Sequence, residues 1–315
     1  MDKKELRIVF MGTPDFAVES LRALVGNGYN VVGVITAPDK PAGRGYKLQP
    51  PAVKEYALSA GLTVLQPENL KNEVFLDELR RLKADIQVVV AFRMLPEVVW
   101  SMPPRGTFNL HASLLPQYRG AAPINWAIIN GEKETGVTTF FLKHEIDTGE
   151  IIFQEKVAIG ENDDAGTLHD SLMTLGARLV VRTIDAVISG TVRSLPQSEL
   201  TEGNKELKPA PKIHKETCRI NWDRPVEEIR NFVRGLSPYP AAWTELDVNG
   251  EKMNFRIFAA RTLPEAHRLR PGEVVTDNKV TLRVAAQDGF IEVLEIQLSG
   301  KKRMKTGDFL NGFSF

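Results

Sequence analysis

This sequence has one cysteine, no long apolar stretch and no excess charge of either sign. The single cysteine, Cys218, excludes a disulfide within the chain, which fits a reducing cytoplasm. No apolar stretch approaches the ~20 residues of a membrane-spanning helix, and the charged N-terminus leads into a turn rather than a signal peptide. Lysine and arginine number 40, as do aspartate and glutamate, so any surface that attracts nucleic acid must be local. We therefore expect a cytoplasmic protein without a membrane partner.

Three kinds of site are also missing from the sequence. No cluster of cysteine, histidine and carboxylate residues has the spacing of metal ligands, so we expect no metal. No serine or cysteine lies in a nucleophile-elbow motif, which favours direct transfer over a covalent enzyme intermediate. After the first apolar run Gly12 stands alone, with Pro14 and Ala17 where a dinucleotide-binding fingerprint has glycine. That turn is better explained as a tight strand-to-helix connection, and an NAD-dependent oxidoreductase is disfavoured.

The order of apolar runs and amphipathic stretches predicts the fold. Over residues 1–190, buried-type strands alternate with helices, and the continuous apolar run at 84–92 is typical of a strand covered on both faces. This alternation predicts a doubly wound, mostly parallel, Rossmann-like α/β domain. Residues 191–210 are polar and poor in strands, as in a linker. Residues 211–315 combine one helix with several short strands, which predicts a small OB-like β-barrel.

An asparagine and a histidine lie two residues apart at the end of a predicted strand. Asn109 and His111 therefore share a face of that strand. Ligands of open parallel sheets bind beyond the carboxyl ends of strands, where an asparagine can donate to an oxyanion and a histidine can move a proton. Asp147, in an Asp-Thr-Gly turn, is a candidate to orient the histidine. The residues alone leave open that the histidine is structural and that Asp-Thr-Gly is only a turn.

The region around these residues resembles a known enzyme family. The stretch "NLHASLLPQYRGAAPINWAIINGEKETGVT" at 109–138, with "IDTGE" at 146–150, is similar to the folate-dependent formyltransferases. Members of that family share an Asn-x-His, a Ser-Leu-Leu-Pro loop and a downstream aspartate. This core alone fits enzymes that formylate glycinamide ribonucleotide, hydrolyse formyltetrahydrofolate or formylate a sugar nucleotide.

Other stretches narrow the resemblance to the methionyl-tRNA formyltransferases, and together they extend over essentially the whole chain. They are "FMGTPDFAVESL", "APDKPAGRGYKLQPPAVK", "APKIHKETCRINW", "SPYPAAW" and "SGKKRM". Glycinamide ribonucleotide formyltransferases lack the second domain, and sugar formyltransferases do not resemble the 37–54 loop. The resemblance implies transfer of a formyl group from 10-formyltetrahydrofolate to the α-amino group of methionine on initiator tRNA, for translation initiation, with no obligate protein partner. Formylation of a small amine such as a sugar nucleotide is the alternative.

The resemblance also implies roles for individual residues. Asn109, His111 and Asp147 match the catalytic residues of the family. The residues expected to line the folate site are Phe92, Ser113, Leu114, Leu115, Pro116, Thr148 and Gly149. In this reading the aspartate holds the histidine in the useful tautomer, and the proline limits the freedom of the loop.

Two positions depart from the family pattern. Phe92-Arg93 stands where members often have Tyr-Gly, at a strand end that helps to line the folate pocket in the family. The segment before the catalytic aspartate reads "KHEI" and adds an imidazole, His144, which we interpret as a loop residue. The Asp-Thr-Gly turn itself is intact, so the catalytic assignment is unaffected.

The loop "DKPAGRGYKLQ" at 39–49 has the chemistry of an RNA contact. Its glycines allow rearrangement, its cations suit phosphate and Tyr46 can stack on a base. The cations expected to contact tRNA are Lys40, Arg44 and Lys47 in this loop, and Lys212, Lys215, Lys301, Lys302 and Arg303 in the second domain. Without the resemblance, the residues favour a mobile surface loop. A non-catalytic RNA-binding protein that uses the barrel alone is disfavoured by the intact catalytic motif.

Overall fold

Two compact units make up the part of the chain that the computed structural model describes, residues 2–42, 47–200 and 206–315. The N-terminal unit comprises Met1–Gly120, Gly136–Val157 and His169–Pro209, and the C-terminal unit comprises Ala121–Thr135, Ala158–Leu168 and Ala210–Phe315. The division of the chain into a domain at 1–190, a linker at 191–210 and a second domain at 211–315 stays a prediction. No helix in the described ranges is long and apolar enough to cross a membrane.

Strands and helices alternate through the first half of the chain, and strands dominate its last quarter. The helices are α1 (Asp15–Gly26), α2 (Ala52–Ser59), α3 (Glu73–Arg81), α4 (Glu97–Trp100), α5 (Pro123–Ile129), α6 (Ala165–Ser189), α7 (Val226–Leu236) and α8 (Thr306–Leu310). The strands are β1 (Arg7–Gly12), β2 (Asn30–Ile35), β3 (Lys40–Ala42), β4 (Lys47–Gln49), β5 (Val64–Leu65), β6 (Ile86–Val90), β7 (Thr107–His111), β8 (Glu134–Phe141), β9 (Ile151–Ala158), β10 (Ala242–Val248), β11 (Glu251–Leu263), β12 (Val274–Thr276), β13 (Leu282–Ala285), β14 (Phe290–Leu298) and β15 (Met304–Lys305). Short 3-10 helices span Gln197–Leu200 and Glu216–Cys218.

The N-terminal unit is built on a seven-stranded sheet with the order β5-β2-β1-β6-β7-β8-β9. Strands β5, β2, β1, β6 and β7 are parallel, and β8 runs antiparallel to β7. Every residue of β6 is buried, as its continuous apolar sequence predicts. The predicted doubly wound fold is therefore confirmed. Because the chain crosses from β5 to the far side of β1 when it enters β6, the carboxyl ends of β1 and β6 flank a switch point, where α/β folds bind ligands.

Gly12 ends β1 and explains the single glycine of the first turn. A Cβ atom at this position would lie 2.6 Å from the Cβ atom of Ala17 and 3.0 Å from the carbonyl oxygen of Val90. Only a residue without a side chain allows α1 to begin this close to the ends of β1 and β6. The tight strand-to-helix connection accounts for this glycine without a dinucleotide.

The C-terminal unit contains a six-stranded antiparallel sheet with the order β10-β11-β14-β13-β12, and β15 pairs with β14. Its inner face packs with α7 and α8 into one apolar core, which includes Val233, Phe255, Ile291 and Phe309. Alternating buried and exposed residues along β10 show one face on this core and one toward solvent. The arrangement is an antiparallel half-barrel, in agreement with the predicted β-rich fold of this region.

Within the C-terminal unit, α5 and α7 approach closely because Gly235 has no side chain. A Cβ atom there would lie 2.6 Å from Cγ1 and 3.0 Å from the backbone nitrogen of Ile129. The side-chain amide of Asn125 donates to the carbonyl oxygen of Gly235 at 2.8 Å, and the indole of Trp126 donates to that of Pro211 at 2.8 Å. These contacts attach α5, which comes from the middle of the sequence, to the C-terminal unit.

Candidate active site

The predicted catalytic pair lies at the carboxyl end of β7, which runs between β6 and β8 in the N-terminal unit. His111 is 6% exposed, so its ring is surrounded by protein atoms and has little contact with solvent. The Oδ1 atom of Asn109 is buried and has no hydrogen-bond partner among the described residues. A buried polar atom without a partner is costly and uncommon, so this oxygen is a natural acceptor for a donor group on a ligand.

The two ring nitrogens of His111 face different partners. Nε2 lies 2.8 Å from the carbonyl oxygen of Tyr118, and Nδ1 lies 3.9 Å from Oδ2 of Asp147. A carbonyl oxygen only accepts hydrogen bonds, so Nε2 carries the hydrogen and the neutral ring has its lone pair on Nδ1. The tautomer is therefore fixed by the Tyr118 backbone. Nδ1 and Oδ2 of Asp147 are too far apart, at 3.9 Å, for a direct hydrogen bond, and the expected role of Asp147 in holding the tautomer stays a prediction.

Asp147 begins a turn that is tightly constrained. Its backbone has a φ of 55°, in the left-handed region that L residues seldom adopt. Its Oδ2 atom accepts from the backbone N–H of Gly120 at 3.0 Å, which orients the carboxylate. A Cβ atom at Gly149 would lie 1.6 Å from the carbonyl oxygen of Phe141, so only glycine fits there. The hydroxyl of Thr148 donates to the carbonyl oxygen of Glu145 within the same turn.

The neighbouring Glu150 extends this constrained region. Its Oε2 atom accepts from the hydroxyl of Ser194 at 2.5 Å, and its Oε1 atom accepts from the ammonium of Lys143 at 3.0 Å. The hydrogen bond from Ser194, with the lysine as a second donor, holds the pKa of the Glu150 carboxyl below its ordinary value. The carboxylate is therefore charged and held in place directly after the Asp-Thr-Gly turn.

The Ser113–Pro116 loop follows β7 and is supported from β8 and β9. The hydroxyl of Thr138 donates to the carbonyl oxygen of Ser113 at 2.6 Å and accepts from the N–H of Leu115 at 3.2 Å. The amide of Gln154 donates to the carbonyl oxygen of Leu115 at 2.7 Å. Ser113 is fully buried, and its own hydroxyl donates to the carbonyl oxygen of Gln117. The loop thus presents a fixed backbone beside the catalytic strand.

The predicted folate residues fall in three segments of the N-terminal unit. Leu114, Leu115 and Pro116 follow the catalytic strand, while Thr148 and Gly149 belong to the Asp147 turn. Phe92 lies just beyond β6 and packs against the apolar cluster that contains Val89 and Leu95. Their role in folate binding stays a prediction.

The two departures from the family pattern have structural roles of their own. The guanidinium of Arg93 donates to the carbonyl oxygens of Pro67 and Glu68 and so holds the chain beyond β6. The side chain of His144 is 74% exposed, stacks edge-on against Trp100 and lies 3.4 Å from a carboxylate oxygen of Glu97. These contacts agree with the interpretation of His144 as a loop residue.

Four supporting residues were missed from the sequence. Thr138 and Gln154 fix the Ser-Leu-Leu-Pro loop, while Arg119 and Gln197 contact one another beside the Asp147 turn. Arg119 and Thr138 lie within the stretch quoted for the family resemblance, and their position there was the available signal. The others act on backbone groups far away in sequence, which no local spacing reveals.

The predicted tRNA contacts are unevenly described. Arg44 lies outside the described residues, and Lys47 begins β4 in the hairpin with β3. Lys40, Lys212, Lys215, Lys301 and Lys302 are exposed. Arg303 is also exposed, pairs with Glu295 and stacks over the ring of Phe258 at 4.4 Å. The five exposed lysines are therefore the better candidates for phosphate contacts, because the charge of Arg303 is shared with a neighbouring carboxylate.

Comparison with known proteins identifies the family of the chain. A family model described as "Formyl transferase" matches residues 6–184, and one described as "Formyl transferase, C-terminal domain" matches residues 212–314. The methionyl-tRNA formyltransferase of Bacteroides fragilis is 63% identical over 314 residues, which cover 99% of this chain and 97% of that protein. That of Parabacteroides distasonis is 63% identical over 315 residues, with 99% and 97% covered.

A solved structure shares the fold. The N-formyltransferase of Helicobacter canadensis, solved with folinic acid and dTDP-3-aminofucose, has a TM-score of 0.66 and 23% sequence identity, covering 91% of this chain and 98% of that chain. Both regions of the sequence thus match one family. On this basis the chain belongs to the formyl transferase family and groups within it with the methionyl-tRNA formyltransferases.

Proposed function

We propose that this protein transfers the formyl group of 10-formyltetrahydrofolate to the α-amino group of methionine on initiator tRNA, giving N-formylmethionyl-tRNA for translation initiation. The observation that carries the proposal is the arrangement at the end of β7, where His111 faces Asp147 and Asn109 has an unpaired amide oxygen. The choice of acceptor is supported by relatives of 63% identity that carry the name methionyl-tRNA formyltransferase.

The reaction exchanges one carbon–nitrogen bond for another. A free α-amino group titrates near ~8, and an ester nearby lowers that value, so the attacking amine needs little activation. As its nitrogen bonds to the formyl carbon, negative charge develops on the formyl oxygen. The bond from that carbon to N10 of the folate then breaks, and the proton released by the amine ends on N10. The protein must therefore stabilise one oxygen and move one proton.

Asn109 performs the first of these tasks. Its Nδ2 group donates to the formyl oxygen, and one such donor contributes on the order of 3 kcal/mol to the stability of the transition state. Its Oδ1 atom, which is buried without a partner, accepts an N–H group of a substrate in the same complex. The orphaned oxygen is thus the feature of this structure that fits a bound amide or amine.

His111 performs the second task. Because the Nε2 hydrogen is committed to the Tyr118 carbonyl oxygen, the ring accepts a proton at Nδ1. That nitrogen faces the carboxylate of Asp147, whose charge stabilises the imidazolium while it exists. The 3.9 Å separation means that this stabilisation is electrostatic, or passes through a bridging group, instead of a direct hydrogen bond.

Folate and tRNA are expected to contact different segments. The folate lies along the Ser113–Pro116 loop, with Phe92, Thr148 and Gly149 nearby, and the support of that loop by Thr138 gives it a fixed shape. The tRNA contacts the 39–49 loop and the exposed lysines of residues 211–315. RNA recognition favours ends and unpaired bases, which suits the acceptor end of a charged tRNA.

The direct test is incubation of the protein with 10-formyltetrahydrofolate and charged initiator tRNA, followed by measurement of formylmethionine. We expect formylation of the tRNA, and none of a dTDP-amino sugar under the same conditions. If the amino sugar is formylated and the tRNA is not, the alternative, a small-amine formyltransferase, is established. If neither substrate is formylated, both functions are rejected.

Arg44, which lies outside the described residues, tests the tRNA assignment separately. Fixing a loop costs roughly 1 kcal/mol per residue, which a large partner offsets more readily than a small one. We expect Arg44→Ala to lower kcat/KM for charged tRNA by ~1–3 kcal/mol and to leave folate binding, measured by calorimetry, unchanged. Arg178→Ala, at an exposed arginine of α6, is the matched control and should change neither. Weaker folate binding with intact use of tRNA would make the loop a folate lid instead.

A further inference from the structure

Gln197 connects an arginine to the turn that carries Asp147. Its side chain is 4% exposed and comes from the 3-10 helix Gln197–Leu200, fifty residues after that turn. The Nε2 group donates to the carbonyl oxygen of Asp147 at 2.7 Å and to that of Gly149 at 2.9 Å. The Oε1 atom accepts from Nε of Arg119 at 3.0 Å and from its Nη2 at 2.5 Å.

The chemistry of the two partners fixes the orientation of this amide. An arginine side chain only donates hydrogen bonds, so Oε1 must face Arg119. The NH2 group of Gln197 then points to the two carbonyl oxygens, and each of its hydrogens has one acceptor. A carboxylate of the same shape would keep the contact with Arg119 but would set a negative oxygen against both carbonyl oxygens.

The same segment is attached to the turn by its backbone. Leu195 and Ile151 exchange two backbone hydrogen bonds of 2.8 and 2.9 Å, which place Gln197 beside the turn. A non-glycine residue in the left-handed region costs on the order of 1–3 kcal/mol and persists only where its surroundings enforce it. The amide of Gln197 on one side and the Gly120 N–H on the other are the groups that hold Asp147 in this conformation.

We propose that Gln197 is a positioning residue for catalysis, held by Arg119, and that it acts by keeping the Asp147 carboxylate facing Nδ1 of His111. Gln197 does not touch the reacting atoms in this scheme, and its effect on the reaction passes entirely through Asp147. The inference rests on the proposed formyl transfer, in which that carboxylate stabilises the protonated histidine.

Two substitutions test the inference. Gln197→Glu keeps an acceptor for Arg119 but loses both donors, and Gln197→Met loses the donors without adding a charge. A shift of the carboxylate by about 1 Å can reduce turnover by ~100-fold, so we expect both variants to lower kcat by ~10- to 100-fold while each KM changes by less than ~3-fold. In an Asp147→Ala background, the same substitutions should lower kcat by less than ~2-fold, because the residue through which they act is gone.

A second readout does not depend on activity. The ring signals of His111 in NMR spectra of the free protein should move in both Gln197 variants, since the facing carboxylate has moved. Gln87→Glu is the control: Gln87 is fully buried in β6 and accepts from Thr107, away from the turn. It should lower the melting temperature, yet leave the His111 signals and the turnover per folded molecule near those of the wild type.

The outcomes separate the two proposals. If the wild type formylates tRNA and both Gln197 variants keep full turnover, the positioning role is wrong and the proposed function stands. The positioning role would also be overturned if the fold-decreases in kcat caused by the Gln197 and Asp147 substitutions multiply in the double variants. If the wild type does not formylate tRNA, the proposed function fails, and unchanged His111 signals in both variants would then reject the positioning role by themselves.

Discussion

At the scale of single residues, the backbone determines what the catalytic side chains can do. The Tyr118 carbonyl oxygen decides which nitrogen of His111 is free, and the Gly120 N–H orients the carboxylate of Asp147. Both groups belong to the segment directly after the Ser-Leu-Leu-Pro loop. That loop therefore does more than form a wall of the site, because the chain that leaves it also sets the chemistry of the histidine.

Removal of any one of the three reactive side chains should stop catalysis without unfolding the protein. We expect Asn109→Ala, His111→Ala and Asp147→Ala each to lower kcat by at least ~100-fold, because each removes a group that acts on charge or proton in the transition state. Melting temperatures should stay within a few degrees of the wild type, measured by calorimetry.

The control for this prediction is His267→Ala. His267 also donates from Nε2 to a backbone carbonyl oxygen, that of Gly289 at 2.9 Å, but lies in the C-terminal unit. The His267→Ala variant should lose a similar structural contact and keep the turnover of the wild type. Near-normal turnover of His111→Ala would remove that residue from the mechanism.

At the scale of secondary structure elements, the sequence predicted segments with a clear apolar pattern and missed several short ones. The buried strand β6 and the strand β7, which carries Asn109 and His111, follow from apolar patterns that the structure confirms. The hairpin of β3 and β4 and the final helix α8 have three to five residues each, too few for a period to show.

The residues of the candidate site likewise divide into those that the sequence predicted and those that it missed. Asn109, His111 and Asp147 stood out because they lie in or near one motif. Gln197 did not, because its partners are backbone carbonyl oxygens about fifty residues earlier in the chain, and any residue type supplies those. Contacts of this kind depend on the folded path and leave no local pattern in the sequence.

The packing of α5 against α7 predicts a cost for any side chain at Gly235. The new methyl group of Gly235→Ala would meet the backbone of Ile129 as well as its side chain, so the helices would have to separate. We expect the free energy of unfolding to fall by about 1–3 kcal/mol, measured by urea denaturation. Gly307→Ala, in α8, is the matched control and should be neutral or slightly stabilising, because its Cβ atom would lie 4.0 Å from Cγ1 of Val280, an ordinary contact.

The turn between β12 and β13 predicts a change of stability with acid. The Oδ1 atom of Asp277 accepts from the N–H groups of Thr281, Lys279 and Val280, at 2.9 Å each, which lowers its pKa to about 2. An aspartate in the unfolded chain has a pKa of about 3.9. A depressed value in the folded state adds stability above pH ~4, and this part is lost as the pH falls toward 2.

Asp277→Asn should therefore be less stable than the wild type at pH 7, and the difference should shrink between pH 4 and pH 2. Urea denaturation at several pH values measures this. Asp247→Asn is the control, because the Asp247 carboxylate accepts from the N–H of Gly250 in the comparable β10–β11 turn. A difference at position 277 that stays constant with pH would contradict the prediction.

At the scale of the whole molecule, catalysis should not depend on a bound metal ion. Residues 2–42, 47–200 and 206–315 contain no group of three or more histidine, cysteine and acidic side chains arranged to hold one. We expect treatment with EDTA followed by removal of the chelator to leave formyl transfer unchanged. Because tRNA itself folds with magnesium, the assay should include hydrolysis of formyl-folate without tRNA. Loss of both activities, restored by one divalent ion, would show that a metal is required.

Synthesis from the N-terminus delivers the parts of the catalytic unit at different times. Asn109, His111 and Asp147 are made well before Gln197 and before Lys208, whose carbonyl oxygen accepts from the N–H of Tyr118 at 2.7 Å. A nascent chain that ends near residue 190 thus holds the reactive side chains as well as Tyr118 and Gly120, but lacks the contacts made by Gln197 and Lys208. Domains generally fold as units during translation. The sequence of this unit is complete only when synthesis reaches Pro209, just before the last segment of the C-terminal unit begins at Ala210.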